Sequence, residues 1–543
     1  MRRLRRPVMI AAVVSLAWAA AARDGVAAEA VAREVFETSF TTTKTYANPF
    51  ADVEVDVVFT NGERRWRVPA FHAGGHTWRV RFAPPAAGTY RYRVEATDAD
   101  NRDFQGAEGE LAVAAYAGDN PLLEHGFPRV AADRRHFEHA DGTPFLWLGD
   151  TWWKCLCKRM TLDDFRLLAA DRAAKGFNVV QIVCGPYPDE PMMGSRWENE
   201  GGLPYPKQDF SEVNPRFFEF ADQRIRALVE AGIVPAIVGG WGRPQQGGRS
   251  TLEQVGLDGF KRHWRHLVAR YGAHPVVWIV GGEAKDAYGP WGALAAFVKS
   301  VDPCGHPLCY HAPGDPRTEI ADNAAFDFDM VAIGHEGLAT AARSLEIAKA
   351  CLAREPRRPV LCGEACYERH MQTNFDDVQR HLFWSFMLSG AAGHTYGAAG
   401  IWQASVAGDP GIEPVYDRTT WREAMAFPGA AQLGLGKKLL ESYPWSRFEP
   451  HPEWAQADCF AAGIPGEVRF IYKPKRGIYD WNGPIVKGLE PGVAYTALYV
   501  DPVTGERLDA GAVAAPAGEY AAPRLPSPQD WVLVLQRTDS KSP

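Results

Sequence analysis

Two glutamates are the first sign of chemistry in this chain. In Pro275-Val276-Val277-Trp278-Ile279-Val280-Gly281-Gly282-Glu283, an unbroken run of β-branched and aromatic residues ends in two glycines and a carboxylate. Such a run reads as a strand buried on both faces. Glycine then lets backbone or ligand come close to its tip. The pattern returns 81 residues later as Pro359-Val360-Leu361-Cys362-Gly363-Glu364. Carboxylates on two strand tips of one barrel can serve as general acid and nucleophile in glycosidic bond cleavage. The competing reading is that each glutamate caps a helix or pairs with an arginine. Two matching tips favour chemistry over that reading.

Other candidates fall at or just beyond the ends of apolar runs. Asp150, Trp152 and Trp153 follow Phe145-Leu146-Trp147-Leu148-Gly149, and Trp241 follows Val234-Pro235-Ala236-Ile237-Val238. His311 and His335 close two further short runs, and His394 and Tyr396 lie in a third, Gly393-His394-Thr395-Tyr396. Tyr187 lies in a long loop, residues 184–213, and loops of that length inside a compact domain tend to be functional. Asp150, the histidines and Tyr396 could hold sugar hydroxyls. Trp152, Trp153, Trp241 and Trp402 could stack on sugar faces, although large aromatics serve equally well as core.

These tips need a scaffold that repeats strand and helix. From residue 118 to 430 about eight such alternations can be traced, with Glu283 on the fourth strand and Glu364 on the seventh. That spacing predicts a (β/α)8 TIM barrel. Before it, residues 29–117 alternate apolar and polar at period two, and Asn61-Gly62 marks a hairpin turn. This predicts an immunoglobulin-like β-sandwich. Strand patterns return within residues 431–543, where a small C-terminal β-sandwich is expected.

The bulk properties narrow the function. A chain of 543 residues has room for about three domains. A net charge of -7 gives no reason to expect nucleic acid or an anionic membrane as partner. Residues 1–28 hold Met1-Arg2-Arg3-Leu4-Arg5-Arg6, an apolar run from Val8 to Ala22 and small residues beyond it. They read as a signal peptide, which implies a periplasmic or secreted product. No later run is apolar enough to span a bilayer. Nine cysteines leave at least one unpaired; Cys304 and Cys309 flank a turn and could form a disulfide, and the rest read as buried thiols. Neither Cys155-Leu156-Cys157 nor the Cys362 to Cys366 spacing has the pattern of a zinc site, so no metal or other cofactor is expected.

Four motifs carry a resemblance. Trp147-Leu148-Gly149-Asp150-Thr151-Trp152-Trp153, Gly281-Gly282-Glu283, Gly363-Glu364-Ala365-Cys366-Tyr367-Glu368 and Gly393-His394-Thr395-Tyr396-Gly397 resemble the apiosidase-like glycoside hydrolase family. The N-terminal region is similar to the small β-domain that precedes such barrels. The last ~90 residues resemble a module labelled as collagen-binding. The resemblance implies an enzyme acting on plant cell-wall polysaccharide, apiose in a pectin side chain being the family's characterised substrate. It adds Tyr367 to the expected substrate-binding residues. Two departures stand out: the strand-four acid, often Asp in that family, is Glu283. The wider clan of retaining enzymes places Asn before that acid, where this chain has Gly282. The reading is a retaining glycosidase with Glu364 as nucleophile and Glu283 as acid/base. A non-catalytic carbohydrate-binding protein on a degenerate barrel and an endo-acting, cellulase-like glycosidase are the alternatives.

Overall fold

The computed structural model describes residues 28–243, 249–332, 334–364, 366–409, 418–513 and 518–538. The expected signal segment lies outside these residues, apart from Ala28, which opens a strand.

The centre of the molecule is an eight-stranded parallel barrel with its helices outside. In chain order it runs β1 (Trp147–Thr151), α1 (Leu162–Ala174), β2 (Val179–Val183), α2 (Pro215–Glu230), β3 (Val234–Val238), α3 (Leu257–Tyr271), β4 (Val277–Gly282) and α4 (Trp291–Val301). It continues through β5 (Leu308–His311), β6 (Asp329–Ala332), α5 (Leu338–Leu352), β7 (Val360–Glu364), α6 (Asp376–Met387), β8 (Gly393–Tyr396) and α7 (Pro428–Glu441). Neighbours pair in the order β5-β4-β3-β2-β1-β8-β7-β6, and a bridge from Ala312 to Val331 closes the ring. One of the eight expected alternations is incomplete: no helix follows β5. Pro313-Gly314-Asp315-Pro316 occupies that stretch, and two prolines around a glycine oppose a helix. Gly337 stands before the first turn of α5.

The barrel strands obey the two-residue alternation of side chains. From β1 and β8, Trp147 and Thr395 face inward: Trp147 Nε1 donates to Thr395 Oγ1 at 3.0 Å, and Gln181 Nε2 on β2 donates to the same oxygen at 2.9 Å. Leu148, Asp150 and Trp152 therefore face the helices, as do His394 and Tyr396. The alternation breaks at two places. Between β4 and β5 the register slips after Ile279, and between β6 and β7 it slips after Val331, where Ala332 opposes Glu364. Such bulges re-aim the side chains that follow them. Both slips directly precede the two glutamates singled out from the sequence.

The barrel is flanked by two β-sandwiches. The N-terminal one packs a five-stranded sheet against a three-stranded sheet around Val55, Val57, Phe59, Val80, Val94 and Leu111. The predicted hairpin is present, with Asn61 opposite Arg64. At the C-terminus a six-stranded antiparallel sheet carries a small two-stranded sheet. Cys304 and Cys309 are both free thiols rather than a disulfide, because Cys309 is buried within β5 while Cys304 is exposed on the preceding turn. No helix among the described residues is long and apolar enough to cross a membrane.

Both flanking domains are clamped to the barrel by buried charge. Asp222 on α2 accepts from Arg81 of the N-terminal sandwich at 2.6 Å and from Arg270 on α3 at 3.1 and 2.7 Å. Arg380 on α6 holds Asp530 of the C-terminal sheet with two bonds of 2.8 Å. Replacing one member of a buried cluster leaves its partners charged and unpaired. Asp222→Ala should therefore lower unfolding stability by about 3–5 kcal/mol, far more than an exposed pair would. Denaturant titration of the full chain checks this.

Candidate active site

The C-terminal ends of the barrel strands open into a cleft of about 270 Å³. Its wall includes Trp153, Trp241, Glu283, His335, Glu364, Tyr367 and Trp402, which brings together seven of the residues expected from the sequence. Trp153 reaches it because it shares the inward parity of Trp147, Gly149 and Thr151.

Glu364 is held by two histidines. His311 Nε2 lies 2.8 Å from Glu364 Oε2, and His335 Nε2 lies 3.3 Å from Oε1. The tautomer of His335 is fixed by its surroundings: the Tyr367 backbone N–H donates to His335 Nδ1 at 3.2 Å, so the ring proton sits on Nε2, facing the carboxylate. Trp153 Nε1 donates to the Tyr367 hydroxyl at 2.8 Å, which in turn hydrogen-bonds Glu364. Burial, the largest influence on Glu364, acts to raise its pKa. His311 and His335 outweigh it and hold the carboxyl well below the usual carboxylate range. The side chain is therefore ionised.

Glu283 sits in the opposite environment. Burial pushes its pKa upward; Arg243, whose guanidinium lies 3.5 Å away, pulls it down, and the negative charge of Glu364 pushes it up again. The net shift is upward. Trp241 Nε1 donates to Glu283 Oε2 at 3.4 Å. Glu283 has φ of 43°, a left-handed conformation that is strained for a side-chain-bearing residue and characteristic of functional sites. One carboxyl driven up and its neighbour driven down is the division expected of an acid and a nucleophile.

Six expected substrate-binding residues do not line the cleft. Asp150 faces the helix layer, where Arg172 Nε donates to it at 2.6 Å and Trp152 Nε1 at 2.8 Å. Trp152 itself packs edge-on against Phe165 of α1. His394 is buried beside Phe383 of α6, and Tyr396 donates to the buried Glu368 at 2.6 Å. All four have the outward parity of their strands, a distinction lost when a residue is assigned only to a strand tip. Tyr187 is turned into the packing of its own loop, against Trp197. His311 touches Glu364 and the Trp153 and Trp241 rings rather than the open space. Conversely, Asp189, Arg243, Glu336, His370 and Met371 line the cleft and were not anticipated. Each lies within a few residues of a flagged strand tip or in the long loop, which is the only signal the sequence held for them. Burial drives the His370 pKa down to about 4, so it lines the cleft as a neutral ring.

No ligand set suited to a metal faces this cleft among the described residues. The cluster of Asp302, Cys304 and His306 has its ligand atoms within 4.8 Å of one another, but it lies at the start of β5, at the other end of the barrel. Asp302 is already occupied there, accepting from Trp278 Nε1 and from the backbone N–H groups of Cys304 and His306.

A parallel barrel with two unlike carboxylates at its mouth defines a glycoside hydrolase, and comparison with known proteins agrees. The chain belongs to the apiosidase-like family: the model of the apiosidase-like catalytic domain matches residues 131–447. A domain of unknown function, DUF5060, matches residues 32–97, within the N-terminal sandwich. Among solved structures, a candidate glycoside hydrolase from Bacteroides vulgatus ATCC 8482 superposes with a TM-score of 0.72 at 19% identity, covering 94% of this chain and 100% of its own. A family 5 glycoside hydrolase from the same organism gives 0.66 at 20% identity, over 79% and 96%. At such identities the likeness is one of fold. No curated protein matches the chain by sequence.

Gly282, where the wider clan carries Asn, has a structural reason. A Cβ there would lie 2.1 Å from the Trp241 ring, which packs directly over the backbone. Gly282→Ala must therefore displace the indole that contacts Glu283. The expected result is a loss of activity of about tenfold or more with a change in tryptophan fluorescence and little loss of fold, read by steady-state kinetics and circular dichroism.

Proposed function

We propose that this enzyme is an exported, retaining glycosidase that cleaves plant cell-wall polysaccharide or oligosaccharide, with an apiose-bearing pectin side chain as the model substrate. The observation that carries the reading is the pair of unlike carboxyls in one cleft, Glu364 held by His311 and His335 with its pKa lowered, and Glu283 beside Trp241 and Arg243 with its pKa raised. Export rests on the basic and apolar N-terminal segment. The substrate class rests on family membership and on the indoles of Trp153, Trp241 and Trp402 along the cleft.

In the first step, a Glu364 oxygen attacks the anomeric carbon as the bond to the leaving oxygen breaks. Glu283 gives its proton to that oxygen, leaving a glycosyl ester on Glu364 and a carboxylate at Glu283. Glu283 then takes a proton from water, whose oxygen attacks the same carbon and releases Glu364. His311, His335 and Tyr367 spread the charge on Glu364 and fix its direction of attack.

The test is chemical rescue. An activated aryl glycoside needs no proton on departure, so Glu283→Ala should still form the glycosyl-enzyme from it while losing about 10²–10⁴-fold on unactivated substrates. Azide should restore turnover and yield a glycosyl azide of retained configuration. An azide product of inverted configuration would exchange the two roles, and equal losses on all leaving groups would make Glu283 structural.

The pH profile offers a separate check. Activity requires Glu364 ionised and Glu283 protonated. Glu364 is held low, so the acid limb should lie well below neutrality; Glu283 is raised, and activity should fall as pH rises through its value. Arg243 opposes that rise. Arg243→Gln should therefore shift the basic limb of kcat/KM to higher pH and leave the acid limb in place.

A further inference from the structure

Seven large apolar side chains stand exposed among the described residues, and three of them gather on one side of the cleft: Leu338 (58%), Met371 (48%) and Phe375 (52%). Met371 lines the cleft itself. The other two adjoin it through Asn374. Asn374 Nδ2 donates to the His335 carbonyl at 2.8 Å, and its Oδ1 lies 3.6 Å from the Cβ position of Gly337, next to Leu338. Phe375 follows Asn374 directly. The loop that carries Met371 is tied at its base by the Arg369 N–H donating to the Asn374 carbonyl at 3.0 Å. Cys366, Arg369, Met371, Gln372 and Asn374 all adopt left-handed backbone, a concentration of strain of the kind found at ligand clamps.

A second observation is independent of exposure. Phe375 occupies the N-cap of α6 and makes no side-chain capping bond; Leu338 opens α5 behind an equally uncapped Gly337. Ser, Thr, Asp or Asn at position 375 would satisfy the start of α6 better. Phe375 thus stands exposed at a helix start where local rules ask for a polar residue, and such violations are expected at functional sites.

We propose that Leu338, Met371 and Phe375 form an outer subsite of the cleft, which takes a sugar residue carrying an O-acetyl group away from the cleaved bond. The occupant is set by continuity: the shelf runs on from Glu364 through His335, His370 and Met371. It has carbon to offer and few donors, so a bare polyol gains little from it, whereas the methyl of an acetate ester is desolvated there. The inference rests on the glycosidase reading.

The experiment compares native and mildly saponified oligosaccharide pools from pectin and hemicellulose as substrates for the wild type and for the double variant Leu338→Ser/Phe375→Ser. Each rate is divided by the same enzyme's rate on an aryl glycoside, so that a general loss cancels. The wild type should favour the native pools by about tenfold in kcat/KM, the discrimination typical of an apolar contact. The double variant should bring the ratio close to one through KM. A wild-type ratio near one, or a ratio that survives the substitutions, overturns the proposal. A wild type that turns over neither pools nor aryl glycosides removes the glycosidase reading first, and the subsite with it. Two further measurements separate other roles. Phe375→Ser supplies the missing cap, so its melting temperature should rise; a fall would make Phe375 a packing residue. Sedimentation showing a dimer that the double variant abolishes would assign the patch to a second copy of the chain and overturn the subsite.

Discussion

Two slips in strand pairing govern this molecule. A barrel strand presents alternate residues to the interior and to the helices, so a residue's facing is fixed once its strand is registered. On plain alternation Glu364 would share the outward facing of Val360 and Cys362, which pack with α5 and α6. The bulge at Gly363 turns it into the cleft; on β4 the register slips between Ile279 and Gly282, and Glu283 follows with left-handed backbone. Glycine is required at both. A Cβ on Gly363 would fall 2.0 Å from the Met330 side chain, and one on Gly282 would meet the Trp241 ring.

Once both carboxyls face one cleft, their surroundings separate them. Glu364 is met by two imidazoles and a tyrosine hydroxyl, which favour its charge. Glu283 is met by an indole, a single exposed arginine and the charge of Glu364 itself. Burial acts upward on both, so the difference comes from partners rather than depth. Low dielectric makes each of those partners count for more than it would in water.

Behind the cleft lies a second polar layer, between strands and helices. Asp150 with Arg172 and Trp152, and Glu368 with Tyr396 and the Gly429 N–H, are buried and hydrogen-bonded to one another. Burial raises the Glu368 carboxyl to about 7, in keeping with its isolation from solvent. These groups fix the ends of β1, β7 and β8 against the helix layer and so hold the loops that carry the cleft residues. The Asp222 and Arg380 clusters extend the same device to the flanking sandwiches.

The sequence by itself determined the barrel, its two β-sandwich neighbours and both strand-tip glutamates. Buried parallel strands advertise themselves as apolar runs, and a strand-tip acid behind glycine is a local pattern. It did not determine which tip residues face inward. Asp150, Trp152, His394 and Tyr396 stand beside inward-facing residues and differ from them only by parity, which depends on register and bulges set across the whole sheet. Nor could it reveal the pairing of Glu364 with His311 and His335, or the approach of Arg243 to Glu283. Those contacts join residues far apart in the chain or carried on loops of irregular backbone, and only closure of the barrel brings them within reach of one another.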